Sequence, residues 1–263
     1  MKAAYLQKTS FIDYPGRISA VVFTQGCNFR CPYCHNPELV VPERYCGTIR
    51  IEDIFSFLEK RRGKLDAVVI TGGEPTLQAD LVPFMQRIRS MGFLVKLDTN
   101  GSRPQVLSEV IAQGLPDYVA MDVKAPWDKY AFVAGSPVDI TDIGASVELI
   151  MGSGIPYEFR TTLVRSLLDP DDVMGIGRAI RGASLYVLQR FAASKHVESS
   201  YTDMAPMTDD QIATLVRDLG PLVERCITCL LYTSDAADDP TRVALGGPRI
   251  IKKKTNLIDH REP

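Results

Sequence analysis

The sequence predicts an α/β domain with parallel strands, and two observations carry that prediction. Short β-branched runs alternate six times with longer amphipathic segments between positions 18 and 219. Because strands that alternate with helices are joined by crossovers, they pair in parallel. The runs at 67–70 and 118–121 are also apolar without interruption, which is typical of strands covered on both faces. This pattern fits an open doubly wound sheet and a full or partial barrel alike.

The alternation amounts to one domain of six strands and six helices. The predicted strands are apolar runs, several of which close on Gly, Asp or Asn, at 18–26, 66–72, 93–100, 118–124, 157–164 and 185–191. The predicted helices carry apolar residues at helical spacing, at 51–61, 79–91, 104–113, 143–151, 171–180 and 209–219.

Each of the first four predicted strands ends in residues that can do chemistry. In strand order they are Cys27, then Gly72, Gly73 and Glu74, then Asp98 and Asn100, then Asp122 and Lys124. In both sheets and barrels of this class, ligands meet the carboxyl ends of the strands. We therefore expect the functional site at that edge.

Composition and charge exclude several classes of protein. The chain has 263 residues, 45% hydrophobic and 24% charged, which is typical of a globular protein rather than a disordered one. The net charge of −2 predicts no nucleic acid and no anionic membrane as partner, and no apolar run approaches the ~18 residues of a membrane span. Six cysteines are too few to staple the chain and no secretion leader opens it, so we expect a reducing, cytoplasmic setting.

The last segment of the chain differs from the rest. From about Thr228 onward it has no periodicity, and the stretch CLLYTSDAAD with the lysine run behind it closely resembles the conceptual translation of sequencing-adapter DNA. We therefore expect a core domain over 1–227 and a non-native tail over 228–263. A natural disordered tail is the alternative.

Three cysteines crowd the loop after the first predicted strand. Cys27, Cys31 and Cys34 form a CxxxCxxC pattern, and such soft ligands select iron–sulfur clusters, zinc or copper(I). A structural zinc site needs a fourth ligand, for which His35 or Cys46 is available. Three thiolates on a four-iron cluster instead leave one iron open to a substrate or cofactor. The cysteine pattern alone does not decide between a zinc site and an iron–sulfur cluster.

The second strand closes on TGGEP at 71–75. Its glycines permit close backbone approach, and Glu74 supplies a carboxylate suited to an amino group. An ordinary strand-to-helix turn is the alternative interpretation of this segment.

Together these motifs resemble a known family. CNFRCPYCHN followed by VVITGGEP is similar to the radical S-adenosylmethionine enzymes, and KLDTNGS, YVAMDVKAP and YEFRTTLV resemble their glycyl-radical-enzyme activating branch, in particular the activating proteins of anaerobic ribonucleoside-triphosphate reductase. The resemblance covers about 1–225. It implies a partial (β/α)6 TIM-type barrel with cluster and cofactor at the C-terminal ends of the parallel strands.

The resemblance also implies roles for individual residues. The three cysteines would hold one [4Fe–4S] cluster, since the interval before GGEP contains only Cys46 besides them. The residues implied for S-adenosylmethionine are Tyr33 against the adenine, Gly72, Gly73 and Glu74 at the methionyl amino group, Asp98 and Asn100 at the ribose or methionyl end, and Asp122, Lys124, Arg160 and Gln189 nearby. For Asp122 with Lys124 a surface salt bridge remains the alternative, and for Arg160 a structural ion pair.

The activity implied is reductive cleavage of S-adenosylmethionine to a 5′-deoxyadenosyl radical, which takes a hydrogen from a glycine Cα of a partner enzyme. Flavodoxin or ferredoxin would supply the electron. Two alternatives stay open: a radical enzyme acting on a purine-like or pterin-like small molecule, and a zinc- or cluster-binding module without activity.

Overall fold

The strand-forming runs assemble into one eight-stranded sheet whose strands lie in chain order. The computed structural model describes residues 1–191 and 206–230. The strands are β1 (Ala3–Ser10), β2 (Ser19–Thr24), β3 (Ala67–Gly72), β4 (Leu94–Thr99), β5 (Tyr118–Asp122), β6 (Tyr157–Leu163), β7 (Tyr186–Arg190) and β8 (Cys226–Leu230).

Strands β2 to β8 pair in parallel, and β1 pairs antiparallel with β2. Within the described ranges, β1 and β8 are the two edges and do not pair with each other. The sheet is therefore an unclosed, partial barrel, and the predicted fold class is confirmed.

Helices cross over between the parallel strands. They are α1 (Ile51–Glu59), α2 (Leu81–Ser90), α3 (Pro104–Ala112), α4 (Tyr130–Ala134), α5 (Ile140–Gly152), α6 (Pro170–Ala179) and α7 (Asp209–Leu219). Capping residues explain where several begin. Asp169 and Asp172 form a capping box on α6, as do Thr208 and Gln211 on α7, and each box satisfies backbone N–H groups that lack a helical partner.

The six predicted strands are confirmed as β2 to β7, but two further strands flank them. β1 is an edge strand whose residues are mostly half-buried, so its sequence carries no clear alternation. β8 includes positions 228–230, the first three of the predicted tail, in parallel register with β7. The remaining tail, 231–263, lies outside the described residues.

Two apolar clusters cover the two faces of the sheet. The larger one fills the space between the sheet and the helices. The smaller one lies on the opposite, inner face and consists of Tyr14, Val21, Ala67, Val69 and Tyr118. Tyr14 comes from the loop between β1 and β2, and its ring centroid lies 5.8 Å from that of Tyr118. This loop therefore closes the inner face at the end opposite the predicted site.

A search of the described helices finds none with both the length and the apolar character to span a membrane.

Candidate active site

The CxxxCxxC motif lies on one loop that follows β2, and its three thiols are partly buried. Hydrogen bonds fix the loop at several points. The backbone N–H of Gly26 donates to the carbonyl of Leu39 at 2.7 Å, and that of Arg30 donates to the carbonyl of Ala134, at the end of α4, at 2.8 Å. These hydrogen bonds hold the loop against the body of the domain.

The environment of the thiols favours their protonated form. Burial, reinforced by the negative charge of Glu74, raises the pKa of Cys27 to about 11. Burial also raises the pKa of Cys31 to about 11, although Lys124 opposes the shift, and raises the pKa of Cys34. Metal binding must therefore displace protons from these thiols.

The donor set fits a [4Fe–4S] cluster. The backbone N–H of Phe29 lies 3.4 Å from Cys27 Sγ and the Asn100 Nδ2 lies 3.9 Å from it, both as donors. Hydrogen bonds to sulfur are a means by which proteins tune such clusters. Across 1–191 and 206–230, no three His, Cys, Asp or Glu side chains are arranged to hold a single metal ion.

Gly72 and Gly73 let β3 end directly against the start of the cysteine loop. Gly72 has φ of 113°, and a Cβ there would lie 2.4 Å from the backbone N of Thr24. A Cβ on Gly73 would lie 2.1 Å from the carbonyl oxygen of Gly26, which accepts the N–H of Glu74 at 2.8 Å. The motif therefore needs glycine at both positions because two backbones touch there.

Glu74 is fully buried, and protein groups already engage its carboxylate. Oε1 accepts hydrogen bonds from the backbone N–H of Thr76 (3.0 Å), from its hydroxyl (2.6 Å) and from the hydroxyl of Thr99 (2.8 Å). Oε2 accepts the backbone N–H of Asn100 at 2.7 Å. Burial raises the pKa of Glu74, while these donors oppose the shift. Oε2 thus accepts a single hydrogen bond and can accept another, so a role for Glu74 at an amino group stays a prediction, while its present contacts tie two loops together.

Asn100 lies just beyond the end of β4 and reaches the cysteine loop. Its Nδ2 donates to Oδ1 of Asn28 at 3.0 Å, and its Oδ1 accepts the hydroxyl of Ser102 at 2.6 Å. Nδ2 of Asn28 in turn donates to Ser102 at 2.9 Å. This closed polar ring joins the ends of β2 and β4 next to Cys27.

Six charged side chains gather on the inner face of β4 to β6, and we term them the interior ion cluster: Lys96, Asp98, Asp122, Lys124, Glu158 and Arg160. Arg160 joins two predicted site residues, because its Nε donates to Oδ1 of Asp122 at 2.7 Å and its Nη1 to Oδ2 of Asp98 at 3.2 Å. Lys124 Nζ donates to Oδ2 of Asp122 at 2.9 Å.

These contacts fix the charge states in the cluster. Burial alone would raise the pKa of Asp122, but the Arg160 guanidinium and the Lys124 ammonium together lower it well below its usual range. Burial opposes the charges of Lys124 and Arg160, yet their acidic neighbours raise both pKa values well above the usual range. Asp122, Lys124 and Arg160 therefore stay ionised at neutral pH. The ion pairs weighed as alternatives for them are present, in partly buried form.

The two remaining predicted residues differ in their surroundings. Tyr33 is buried, and burial raises its pKa well above the usual range, with the charges of Cys31 and Lys124 acting on its hydroxyl. It lies on the cysteine loop, between Cys31 and Cys34. Gln189 lies one strand further, where its Oε1 accepts the hydroxyl of Thr162 at 3.4 Å.

Several residues that build the site belong to no motif that marks them in the sequence. Thr76, Thr99, Asn28 and Ser102 hold the loops, and Lys96 and Glu158 complete the ion cluster. A signal existed for Lys96 and Glu158, since both are charged residues two positions before a predicted site residue on the same strand.

Known proteins are similar to this chain in sequence and in fold. Residues 21–173 match the family model of the radical SAM superfamily. A putative glycyl-radical enzyme activating enzyme of Methanocaldococcus jannaschii is 35% identical over 223 residues, covering 83% of this chain and 90% of that protein. A pyruvate formate-lyase-activating enzyme of Streptococcus mutans is 31% identical over 193 residues, covering 68% of this chain and 71% of that protein.

A crystal structure of Streptococcus suis SuiB shares the fold with a TM-score of 0.60 at 12% identity, covering 80% of this chain and 48% of that one. The site contains a CxxxCxxC loop beside a Gly–Gly–Glu turn. This arrangement is consistent with the family match and with the names of the two relatives. The chain belongs to the radical S-adenosylmethionine superfamily, in the branch of the glycyl-radical-enzyme activating enzymes.

Proposed function

We propose that this radical SAM enzyme activates a glycyl radical enzyme by removing a hydrogen atom from a glycine Cα of that partner. When bound and reduced, the [4Fe–4S] cluster supplies the electron that splits S-adenosylmethionine into methionine and the 5′-deoxyadenosyl radical, which takes the hydrogen. The protein itself binds, orients and shields the reacting groups.

In this proposal, Cys27, Cys31 and Cys34 hold the cluster, and the Gly72–Gly73 backbone forms the edge that receives the methionyl amino group. Glu74 fixes that edge, and its Oε2, which accepts a single hydrogen bond, offers the amino group a carboxylate oxygen. Tyr33, which lies between Cys31 and Cys34 on the cysteine loop, borders the adenine, as the family resemblance implies.

The interior ion cluster would hold the remaining polar groups of S-adenosylmethionine. Asp98 and Asp122 offer carboxylates to the amino group or ribose hydroxyls, Lys124 and Arg160 offer charge to the methionyl carboxylate, and Asn100 and Gln189 border the same edge.

The proposal rests on one structural observation: hydrogen bonds join the segments that follow β2, β3 and β4. Glu74 joins the ends of β3 and β4, and Asn100 joins the end of β4 to the cysteine loop. A cluster and a cofactor that must touch each other need such a rigid common edge. The names of the two relatives support a glycyl radical enzyme as the protein substrate.

The partner we propose is anaerobic ribonucleoside-triphosphate reductase, with flavodoxin or ferredoxin as electron donor. This choice rests on the resemblance of the segments at 96–102, 118–126 and 157–164 to the activating proteins of that enzyme. Pyruvate formate-lyase is the comparison partner, because one relative carries its name.

The test is electron spin resonance of anaerobic mixtures that contain dithionite, S-adenosylmethionine and either the reductase or pyruvate formate-lyase. We expect a glycyl doublet with the reductase. A doublet that forms only in the mixture with pyruvate formate-lyase would identify pyruvate formate-lyase, and not the reductase, as the partner. Release of 5′-deoxyadenosine that depends on a purine-like or pterin-like compound, with no doublet in either mixture, would overturn the proposal.

A further inference from the structure

Lys96 is a buried member of the interior ion cluster, but the proposed function assigns it no contact with S-adenosylmethionine. Its side chain is 4% exposed. Lys96 precedes Asp98 by two residues on β4, so both side chains lie on the same face of the strand. A buried ammonium is costly to desolvate unless it is paired. The partners of Lys96 therefore indicate what it does.

Four groups surround Lys96 Nζ. It donates to the carbonyl of Asp13 at 2.7 Å and lies 5.5 Å from the ring centroid of Tyr118. Oδ1 of Asp98 lies 3.4 Å away and Oε1 of Glu158 lies 3.5 Å away. One ammonium thus lies between two largely buried carboxylates, that of Asp98 on β4 and that of Glu158 on β6.

The same two carboxylates compete for Arg160. Its Nη1 lies 3.2 Å from Oδ2 of Asp98 and 3.8 Å from Oε1 of Glu158, while its Nε donates to Asp122. Without Lys96, Asp98 and Glu158 would lose one of the cations that they share, and both would draw the Arg160 guanidinium away from Asp122. Lys96 therefore governs where Arg160 sits.

The Asp98 oxygen that faces Lys96 has capacity to spare. Oδ1 is buried and accepts no hydrogen bond from the described residues, so its contact with Lys96 is ionic. Such an oxygen can accept a ligand N–H or O–H, provided that the carboxylate stays in place. The contact with Lys96 holds it there.

We propose that Lys96 is a positioning residue of the cofactor site, which acts through Asp98 and Arg160 to set the affinity for S-adenosylmethionine. The inference rests on the proposed function only in assigning that ligand to the interior ion cluster. Glu158 is the acid that Lys96 neutralises, so removing Glu158 together with Lys96 restores the charge balance.

The test measures the dissociation constant of S-adenosylmethionine by anaerobic equilibrium dialysis against the cluster-loaded, oxidised protein, which does not cleave the ligand. We expect Lys96→Met to weaken binding by about tenfold or more, because it strands a buried acid. Adding Glu158→Gln to Lys96→Met should bring affinity back to within about threefold of wild type. A purely structural Lys96 would not produce that recovery in affinity at unchanged iron content.

Two further variants keep the result decisive. Lys96→Gln removes the charge but retains a donor for the Asp13 carbonyl, and it answers the question if Lys96→Met does not fold. Arg89→Met is the matched control, since it breaks the 2.5 Å ion pair with Asp117 away from the site. The proposal is overturned if Lys96→Gln binds S-adenosylmethionine as wild type does, or if Glu158→Gln fails to rescue a weakened Lys96 variant.

The outcome is independent of the partner enzyme. A wild-type protein that binds S-adenosylmethionine but yields no glycyl radical contradicts the proposed function, and the Lys96 variants are still judged by affinity. Conversely, normal affinity in the Lys96 variants leaves glycyl radical formation untouched.

Discussion

The backbone N–H of Asn100 donates to Oε2 of Glu74 at 2.7 Å, and this contact locks the turn after β3 to the end of β4. Glu74 lies fully inside the protein, while the Asn100 side chain reaches Asn28 on the cysteine loop. Because both residues belong to this chain of contacts, a change at Glu74 is transmitted to the cofactor edge without touching a cysteine.

Glu74→Gln tests that contact. The amide nitrogen of Gln is a donor and cannot replace both accepting oxygens, so one buried N–H loses its acceptor. We expect the free energy of unfolding to fall by about 1–3 kcal/mol, measured by urea denaturation of the cluster-free protein. Affinity for S-adenosylmethionine should also fall in the loaded protein, while iron content stays the same.

Glu59→Gln is the matched control, because Glu59 is an exposed acid on α1 that pairs with Arg62 at 3.1 Å. It should change stability by less than about 1 kcal/mol. Unaltered stability and affinity in Glu74→Gln would contradict the linking role.

Cys27→Ala, Cys31→Ala and Cys34→Ala should each abolish stable cluster binding and the release of 5′-deoxyadenosine, since each removes a thiolate ligand. Wild type should contain about four irons per chain, the count of one [4Fe–4S] cluster. Cys46→Ala, at an exposed cysteine, is the control and should keep both properties. Iron near eight or twelve per chain would refute the single cluster.

Gly73→Ala should disrupt the cofactor edge. The added Cβ would lie 2.1 Å from the Gly26 carbonyl oxygen, so one of the two backbones must move. We expect weaker binding of S-adenosylmethionine and lower stability, measured by dialysis and urea denaturation. Gly144→Ala in α5 meets nothing within 4 Å and should leave binding unchanged while stabilising the helix by up to about 1 kcal/mol. Equal effects of the two substitutions would argue against the close contact.

The buried thiols predict a pH dependence of the cluster-free protein. Cys27 and Cys31 have an ordinary pKa of 9.0 when unfolded and about 11 when folded. The folded state therefore holds protons that the unfolded state has lost, and stability should decline as pH rises from about 9 towards 11. Urea denaturation at pH 8 and 10 measures the decline.

A variant with all three motif cysteines changed to Ser should show a smaller decline, because Ser does not ionise in this range. Equal declines in wild type and this variant would show that the thiols are not responsible.

Strands β2 to β7 could be predicted because their apolar runs alternate regularly with amphipathic segments. β1 could not, since an edge strand with half-buried residues lacks the alternation that marks a strand. The cysteines and the pair of Asp122 with Lys124 were found because they lie at strand ends.

The contacts of Glu74 and Lys96 were beyond prediction for a different reason. Gly72, at positive φ, turns Glu74 under the end of β4, where it meets Thr99 on the face opposite to Asp98. The meeting of Lys96 with Glu158 depends on the pairing register of three strands, which periodicity does not determine.

In the proposed reaction, a hydrogen atom passes from a glycine Cα of the partner enzyme to the 5′-deoxyadenosyl radical. The most direct test supplies anaerobic ribonucleoside-triphosphate reductase labelled with α-deuterated glycine and measures the mass of the 5′-deoxyadenosine released. The account predicts one deuterium in that product and a glycyl doublet in the reductase. Unlabelled 5′-deoxyadenosine in the presence of a labelled, radical-free partner would contradict it.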